Sequence, residues 1–365
     1  MRNVIKYCIN WNEYTNYQKM TAIETISKKL CKQPATIQRT FDPSVSPRRI
    51  GFILASGLKW VNGTELKFMF IEGAEPQKKV VRKAFVTWKA VGIGISFKEV
   101  SNVDDAMVRI GFDLTDGSWS YVGREILTVS GAERTMNFGW DLTANSYGMT
   151  TAIHEIGHTI GFQHEHQSPF SGIEWNTPAV YSEFSGPPNY WPKAQIDANI
   201  LSKLPANQMQ GSAWDPNSIM EYEFGPGLVN LPAPYTKGIY PPGILSANDM
   251  KGVKSFYPVV APKNRVKLQL NKSAVIKSDS GGQDDFIFTA PSTKKYTFQT
   301  VGQLDTVMVV SEIAENENYY MSGDDDSGFD KNSKITLPLV KGRDYLVHLR
   351  VLYTPGMQSG SMIVS

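Results

Sequence analysis

The chain has 365 residues, of which 41% are hydrophobic and 20% charged, with a formal net charge of +2. That balance excludes a disordered chain, and no apolar run approaches the roughly 18 residues a membrane helix needs. Lys and Arg are scattered rather than clustered, so nothing in the charge pattern nominates a nucleic acid or an anionic membrane as partner.

The length suggests more than one core. The N-terminus, "MRNVIKYCINWNEYTNYQKM", starts basic but has no apolar stretch, so no Sec-type leader is read there. The expectation is an exported protein that uses another route, with a cytoplasmic location left open. The two cysteines, Cys8 and Cys31, cannot build a disulfide framework, and free thiols are the default. Residues 1–50 read as an N-terminal arm or pro-segment, partly helical over 18–31 and closing in "RTFDPSVSPRRI".

A denser pattern begins near Lys59 and defines a second unit, 51–260. "WVNGTELKFMFI" has an Asn-Gly turn, then alternation with Leu66, Phe68 and Phe70 on one face, which predicts a strand. "EPQKKVVRKAFVTWKAVG" predicts a helix: Pro76 suits its first turn, Val80, Val81, Ala84, Phe85, Trp88 and Val91 repeat at helical spacing, and Gly92 can end it. "ISFKEV", "AMVRIGF" and "TMNFGWDL" read as further strands of a mixed sheet. Residues 170–245 are rich in Pro, Gly, Asn and aromatics and read as ordered loops with short helices. "SANDMKGVKSFYP" closes the unit as a helix capped by Ser246 or Asn248. Residues 264–365 carry short alternating segments separated by turns, the pattern of an all-β sandwich.

Four of the five histidines lie in "TAIHEIGHTIGFQHEHQSP", residues 151–169. His154 and His158 are four apart, which on a helix puts both imidazoles on one face, able to bind one metal ion. Glu155 projects beside that metal, where it can hold and deprotonate a bound water. Gly161 can take the left-handed turn that brings His164 back as third ligand. Three histidines leave an open coordination position, the mark of a catalytic zinc site rather than a closed structural one. The full pattern is H-E-x-x-H-x-x-G-x-x-H. His166 falls outside the ligand spacing and reads as a loop or supporting residue.

The second signature is "DPNSIMEYEF", residues 215–224. It resembles the Met-turn of metzincin proteases, with Met220 as the apolar floor under the metal. Together with "KWVNGTELKFMF", "GSWSYVGRE", "GFQHEH" and "LSANDMKGVKSFYP", it makes the chain similar to the astacin-like branch of the metzincins. The resemblance implies an α+β catalytic domain with a mixed twisted sheet, an active-site helix and a Met-turn, followed by the all-β sandwich C-terminal domain. It implies a zinc-dependent endopeptidase with Glu155 as general base. Tyr222 would be an extra zinc ligand that swings off to stabilise the oxyanion. A protein or peptide substrate would lie as an extended strand against an edge near Met136–Trp140. Disulfides are absent from the catalytic region, and the family's F-x-G-D pro-segment motif is absent from the arm, Phe41-Asp42 being the nearest match. Cys8 or Cys31 could block the metal as a thiolate, and each also reads as an ordinary buried cysteine. Arg48-Arg49 suits a processing site, after which the new amino terminus would pair with Glu165.

Residues 264–365 are similar to pre-peptidase C-terminal domains in "DDFIFTAP", "SGDDDSGFD" and "LVKGRDYLVHLRV". Asp324 and Asp326, with Asp284, could hold a calcium ion, against the plain reading of a solvated acidic turn. The competing functional reading is a toxin-like or adhesin-type binding protein whose protease site is vestigial or serves one narrow target. The intact Glu155 argues against a vestigial site. Oligomeric state is not legible.

Overall fold

The computed structural model describes residues 31, 33–34, 58–131, 133–204, 213–259, 265–279, 281–314, 317–352 and 359–365. Of the expected arm 1–50, only Cys31, Gln33 and Pro34 fall among them. Cys8, Phe41-Asp42, Arg48-Arg49 and the expected boundary at 260–264 lie outside the described residues.

Strand β1 (Glu65–Phe70) buries Leu66 and Phe68 in alternation. Helix α1 (Glu75–Ala90) begins with Pro76 in its first turn and buries Val81, Ala84, Phe85 and Trp88, the face that its spacing predicts. Phe85 stacks on Phe68 at 4.2 Å between ring centres, which fixes the helix on the sheet. Next come β2 (Ser96–Glu99), β3 (Val108–Gly111), β4 (Trp119–Ser120), β5 (Met136–Asn137) and helix α2 (Tyr147–Thr159). The sheet order is β2-β1-β3-β5-β4. All neighbours are parallel except β4, which runs antiparallel to β5. This corrects one expectation: Met136–Asn137 is a strand but not an edge, because β3 and β4 pair with both its sides. The edge strands are β2 at one side and β4 (Trp119–Ser120) at the other.

Below this layer lies a second core. It is built from β6 (Glu174–Trp175), α3 (Thr177–Ser185), α4 (Lys193–Ile196), a π-helical turn at Asp197–Leu201, and β7 (Val229–Leu231), which pairs with β6. Its apolar residues include Val180, Phe184, Ile200, Tyr222 and Phe224. Helix α5 (Ala247–Phe256) starts with a capping box in which Ser246 and Asp249 satisfy each other's main-chain amides. Among the described residues no helix is long and apolar enough to cross a membrane.

The remaining strands are β8 (Val266–Lys267), β9 (Ser273–Val275), β10 (Gln283–Thr289), β11 (Lys294–Gly302), β12 (Thr306–Ala314), β13 (Glu317–Asp324), β14 (Lys334–Leu339), β15 (Asp344–Val351) and β16 (Gly360–Val364). They form two facing sheets, β13-β12-β15-β10-β8 and β14-β11-β16-β9, around Phe286, Phe288, Tyr296, Phe298 and Val347. This is the expected sandwich. The expected calcium trio does not assemble. Asp284 pairs with Leu349, Leu349 with Met308 and Met308 with Asp324. Two strands therefore separate Asp284 from Asp324, about 14 Å at the usual strand spacing. Asp284 instead accepts the amides of Lys277 and Ser278, and Asp324 accepts those of Ser327 and Lys334.

Candidate metal centre

Helix α2 is buried along almost its whole length between the two cores, so its polar residues need partners. His154 Nδ1 meets the carbonyl of Ile219 at 2.7 Å, and His158 Nδ1 meets that of Phe162 at 2.8 Å. An imidazole whose Nδ1–H is held by a carbonyl presents a bare Nε2, the usual arrangement behind a metal ligand. Gly161, at φ +97°, makes the left-handed turn after α2 and returns the chain toward His164. His158 Nε2 and His164 Nε2 then face each other at 3.0 Å.

One atom each from His154, His158, His164 and Cys31 lie within 4.8 Å of one another, all four residues buried. Burial keeps the three imidazoles neutral: His154 falls to about 4, and His158 and His164 are driven well below their ordinary value, by desolvation first. Neutral imidazoles are the ligating form. The Nε2 of His154 and Oε1 of Glu155 are buried with no hydrogen-bond partner. Buried, orphaned acceptors converging on one point fit a divalent cation. Glu155 is fully buried, and desolvation pushes its carboxyl up to about 8.

The segment around Met220 packs against α2 from below. Met220 is fully buried beneath α2, and a side chain on Gly157 would lie 2.3 Å from the Met220 sulfur. The Glu165 amide donates to the Met220 carbonyl at 3.1 Å, tying the residue after His164 to the turn. Asp249 of α5 holds the other side, accepting from Ser218 Oγ at 2.6 Å and Ile219 N at 2.8 Å. Since Ile219 O meets His154, Asp249 supports the metal centre through a single residue, Ile219. Sequence reading missed this role; the capping box at Ser246–Asp249 was its only trace.

Tyr222 packs its ring between His164 and His166, at 4.3 and 4.6 Å. Its hydroxyl donates to the carbonyl of Cys31 at 2.5 Å. Burial, before any neighbouring charge, raises its pKa, so it stays a donor. His166 is buried behind Tyr222 with Nε2 on the carbonyl of Asn199 at 2.8 Å, off the ligand set as expected. Glu165 accepts the Asp215 amide at 3.2 Å, and desolvation raises its carboxyl to about 8.

The larger surprise is Cys31. Its sulfur lies 3.4 Å from Glu155 Oε2, and the Ser120 main chain on edge strand β4 hydrogen-bonds to it. Burial, then the Glu155 carboxylate, raises the thiol well above its ordinary value. A cation held by this cluster would favour the thiolate instead. Two residues on, the Gln33 amide donates to Asn199 Oδ1 at 2.9 Å, and its side chain donates to Gln163 Oε1 at 3.2 Å. The described part of the N-terminal arm therefore occupies the cleft between edge strand and lower core.

Comparison with known proteins follows the same outline. Residues 54–170 match the family model described as Astacin, a peptidase family. The serralysin of Photorhabdus laumondii subsp. laumondii is 32% identical over 101 residues, 25% of this chain and 20% of its own. That of Photorhabdus luminescens is 33% identical over 99 residues, again covering 25% and 20%. The chain thus spans about a fifth of the length of these curated relatives. The solved structure of myroilysin is 32% identical, with 55% of this chain and 96% of that one aligned and a TM-score of 0.51. The pre-peptidase C-terminal domain of a collagenase from Bacillus anthracis aligns with 29% of this chain and 99% of its own, at 15% identity and a TM-score of 0.24.

Proposed function

The chain belongs to the astacin family of peptidases, and from that premise we propose that it is a zinc-dependent endopeptidase held latent by its own Cys31. The observation that carries the reading is the convergence of His154, His158 and His164 on one buried point beside Glu155. Those three histidines are the residues that would hold zinc. When bound there, zinc supplies Lewis acidity to the scissile carbonyl and to the attacking water.

The protein's own residues do the rest. Glu155, buried beside the three histidines, is placed to take a proton from the attacking water and return it to the leaving amine. Tyr222 already donates to a main-chain carbonyl, that of Cys31, and in substrate the same hydroxyl would donate to the developing oxyanion. The outer edge of β4 would offer main-chain groups to an extended peptide, as Ser120 does toward Cys31. Cys31 takes the position that water or substrate needs, which accounts for the latency. Latency suits a protease that must cross its own cell before acting, and so fits export.

Glu155→Gln should retain zinc and lose casein hydrolysis by at least about a hundredfold. Zinc retained with hydrolysis unchanged would remove Glu155 from the role of base. A chelator should abolish hydrolysis by the activated wild type. Chelator-insensitive hydrolysis would overturn the zinc reading, and a chain that stays silent after its arm is released would favour the toxin-like or adhesin-type binding alternative.

A further inference from the structure

The zinc helix ends under an unusual obligation. An α-helix leaves its last carbonyls without helical partners, and when that end is buried they must be met from outside. In α2 the carbonyls of Gly157 and His158 are met locally by Phe162 N and Gly161 N. Those of Thr159 and Ile160 are met by two side chains distant in sequence. The Trp60 indole donates to Thr159 O at 2.8 Å, and the Tyr257 hydroxyl donates to Ile160 O at 2.8 Å. The Tyr257 oxygen in turn accepts the Trp60 amide at 3.1 Å, so the two caps form one unit. Trp60 is 2% exposed and Tyr257 is fully buried.

What holds Trp60 in place comes from the other module. Arg350, on β15 of the sandwich and 6% exposed, donates from Nη1 to the carbonyl of Lys59 at 2.9 Å. Its other amino group donates to Gln283 Oε1 on β10 at 3.2 Å, so the guanidinium is fixed from the sandwich side. Beside it the seam has an apolar part. Val61 packs with Val307, Val309 and Leu352 in one buried cluster. Gly63 lies so close to His348 that a methyl there would meet the ring at 2.8 Å. Arg124 and Asp325 pair across the seam's rim at 2.7 Å.

We propose that the C-terminal β-sandwich is a working part of the metal centre: Arg350, through the Lys59–Trp60 main chain and the Trp60–Tyr257 cap, positions the end of α2 from which His164 is hung. Arg350 is a positioning residue and touches neither metal nor substrate. Only Gly161–Gln163 separate the braced carbonyls from the third ligand, so a shift of the cap moves His164 relative to His154 and His158. The proposal rests on the zinc-binding reading given above, and the test separates the two.

The full chain carrying Arg350→Met, Tyr257→Phe or both would be titrated with zinc against a competing chelator and with cobalt(II) followed by its visible absorption. Each single variant should weaken zinc binding about tenfold, as the loss of groups that orient ligands does. The double variant should be little worse than the worse single one, because both cut the same path. The cobalt bands of the singles should shift together, a signature that lower stability alone does not produce. Gly63→Ala, whose methyl would press on the His348 ring and whose φ of +85° adds strain to the turn that carries Trp60, should shift the cobalt bands in the same direction as Arg350→Met even if Arg350→Met fails to fold. Wild-type affinity and cobalt bands in Gly63→Ala, or multiplicative losses in the double variant, would overturn the proposal. A wild-type chain that binds no zinc would instead overturn the metal reading beneath it.

Discussion

The sharpest consequence of the cleft is what Cys31→Ser should do. Among the described residues the arm meets the metal centre through the Cys31 sulfur and through hydrogen bonds from Tyr222 to the Cys31 carbonyl, from Gln33 N to Asn199, and between the Gln33 side chain and both Gln163 and His158 Nδ1. Serine keeps these hydrogen bonds, each worth about 1 kcal/mol net, and removes the sulfur. A structural four-ligand zinc site is worth about 10–16 kcal/mol in all, or about 3 kcal/mol per ligand if shared evenly. At 1.4 kcal/mol per factor of ten, losing that ligand shifts the closed-to-open balance about a hundredfold. Untrimmed Cys31→Ser should therefore hydrolyse a fluorogenic peptide about a hundredfold faster than the untrimmed wild type, and still slower than a chain freed of its arm. The cobalt(II) form of the wild type should show a near-ultraviolet thiolate charge-transfer band that the variant lacks. Equal hydrolysis rates together with superposable cobalt spectra would refute the latch, and with it the account of why Cys31 is buried beside three histidines.

Tyr222→Phe removes the hydroxyl that meets the Cys31 carbonyl while keeping the ring between His164 and His166. The activated variant should lose about a hundredfold in kcat with zinc content unchanged; zinc lost in parallel would make Tyr222 mainly a ligand. Gly157→Ala should lower Tm by an amount equivalent to about 1–3 kcal/mol, because its methyl would lie 2.3 Å from the Met220 sulfur. A variant as stable as the wild type would show that the Met-turn yields freely. The seam should also carry a pH dependence. Burial first, and the Arg350 charge second, lower Lys59 from 10.5 to about 7. Between those values the unfolded chain binds more protons than the folded one, so this residue's contribution to stability rises with pH from about 7 to 10.5 and is absent below. Comparing Tm with pH for wild type and Lys59→Met checks this, since the variant should lack that part of the rise.

Much of the catalytic half was legible in the chain itself, because its elements are set by local periods. The 3.6-residue repeat of Val81, Ala84, Phe85 and Trp88 predicts α1, and alternation at Leu66 and Phe68 predicts β1. The His154–His158 spacing needs nothing but a helix to bring both rings to one face, and Gly161 needs nothing but its missing side chain to take φ +97°. The Ser246 cap of α5 is likewise a matter of a few neighbouring residues.

What local pattern does not carry is pairing between distant segments. Met136–Asn137 reads as a strand, yet whether it is an edge depends on Trp119–Ser120 reaching its far side. Asp284 and Asp324 are both acidic, yet two intervening strands keep them apart. Cys31 looks like any buried cysteine until the fold sets it 3.4 Å from Glu155, which is 124 positions away along the chain. Arg350 meets Lys59 across 291 positions. By itself the sequence nominated His154, His158, His164 and Glu155, since their grouping needs only fixed spacing on one helix and one turn. Only the tertiary structure decided what faces that centre and what braces it, because loop closure over such distances is settled by the packing of whole modules and leaves no periodic trace in the chain.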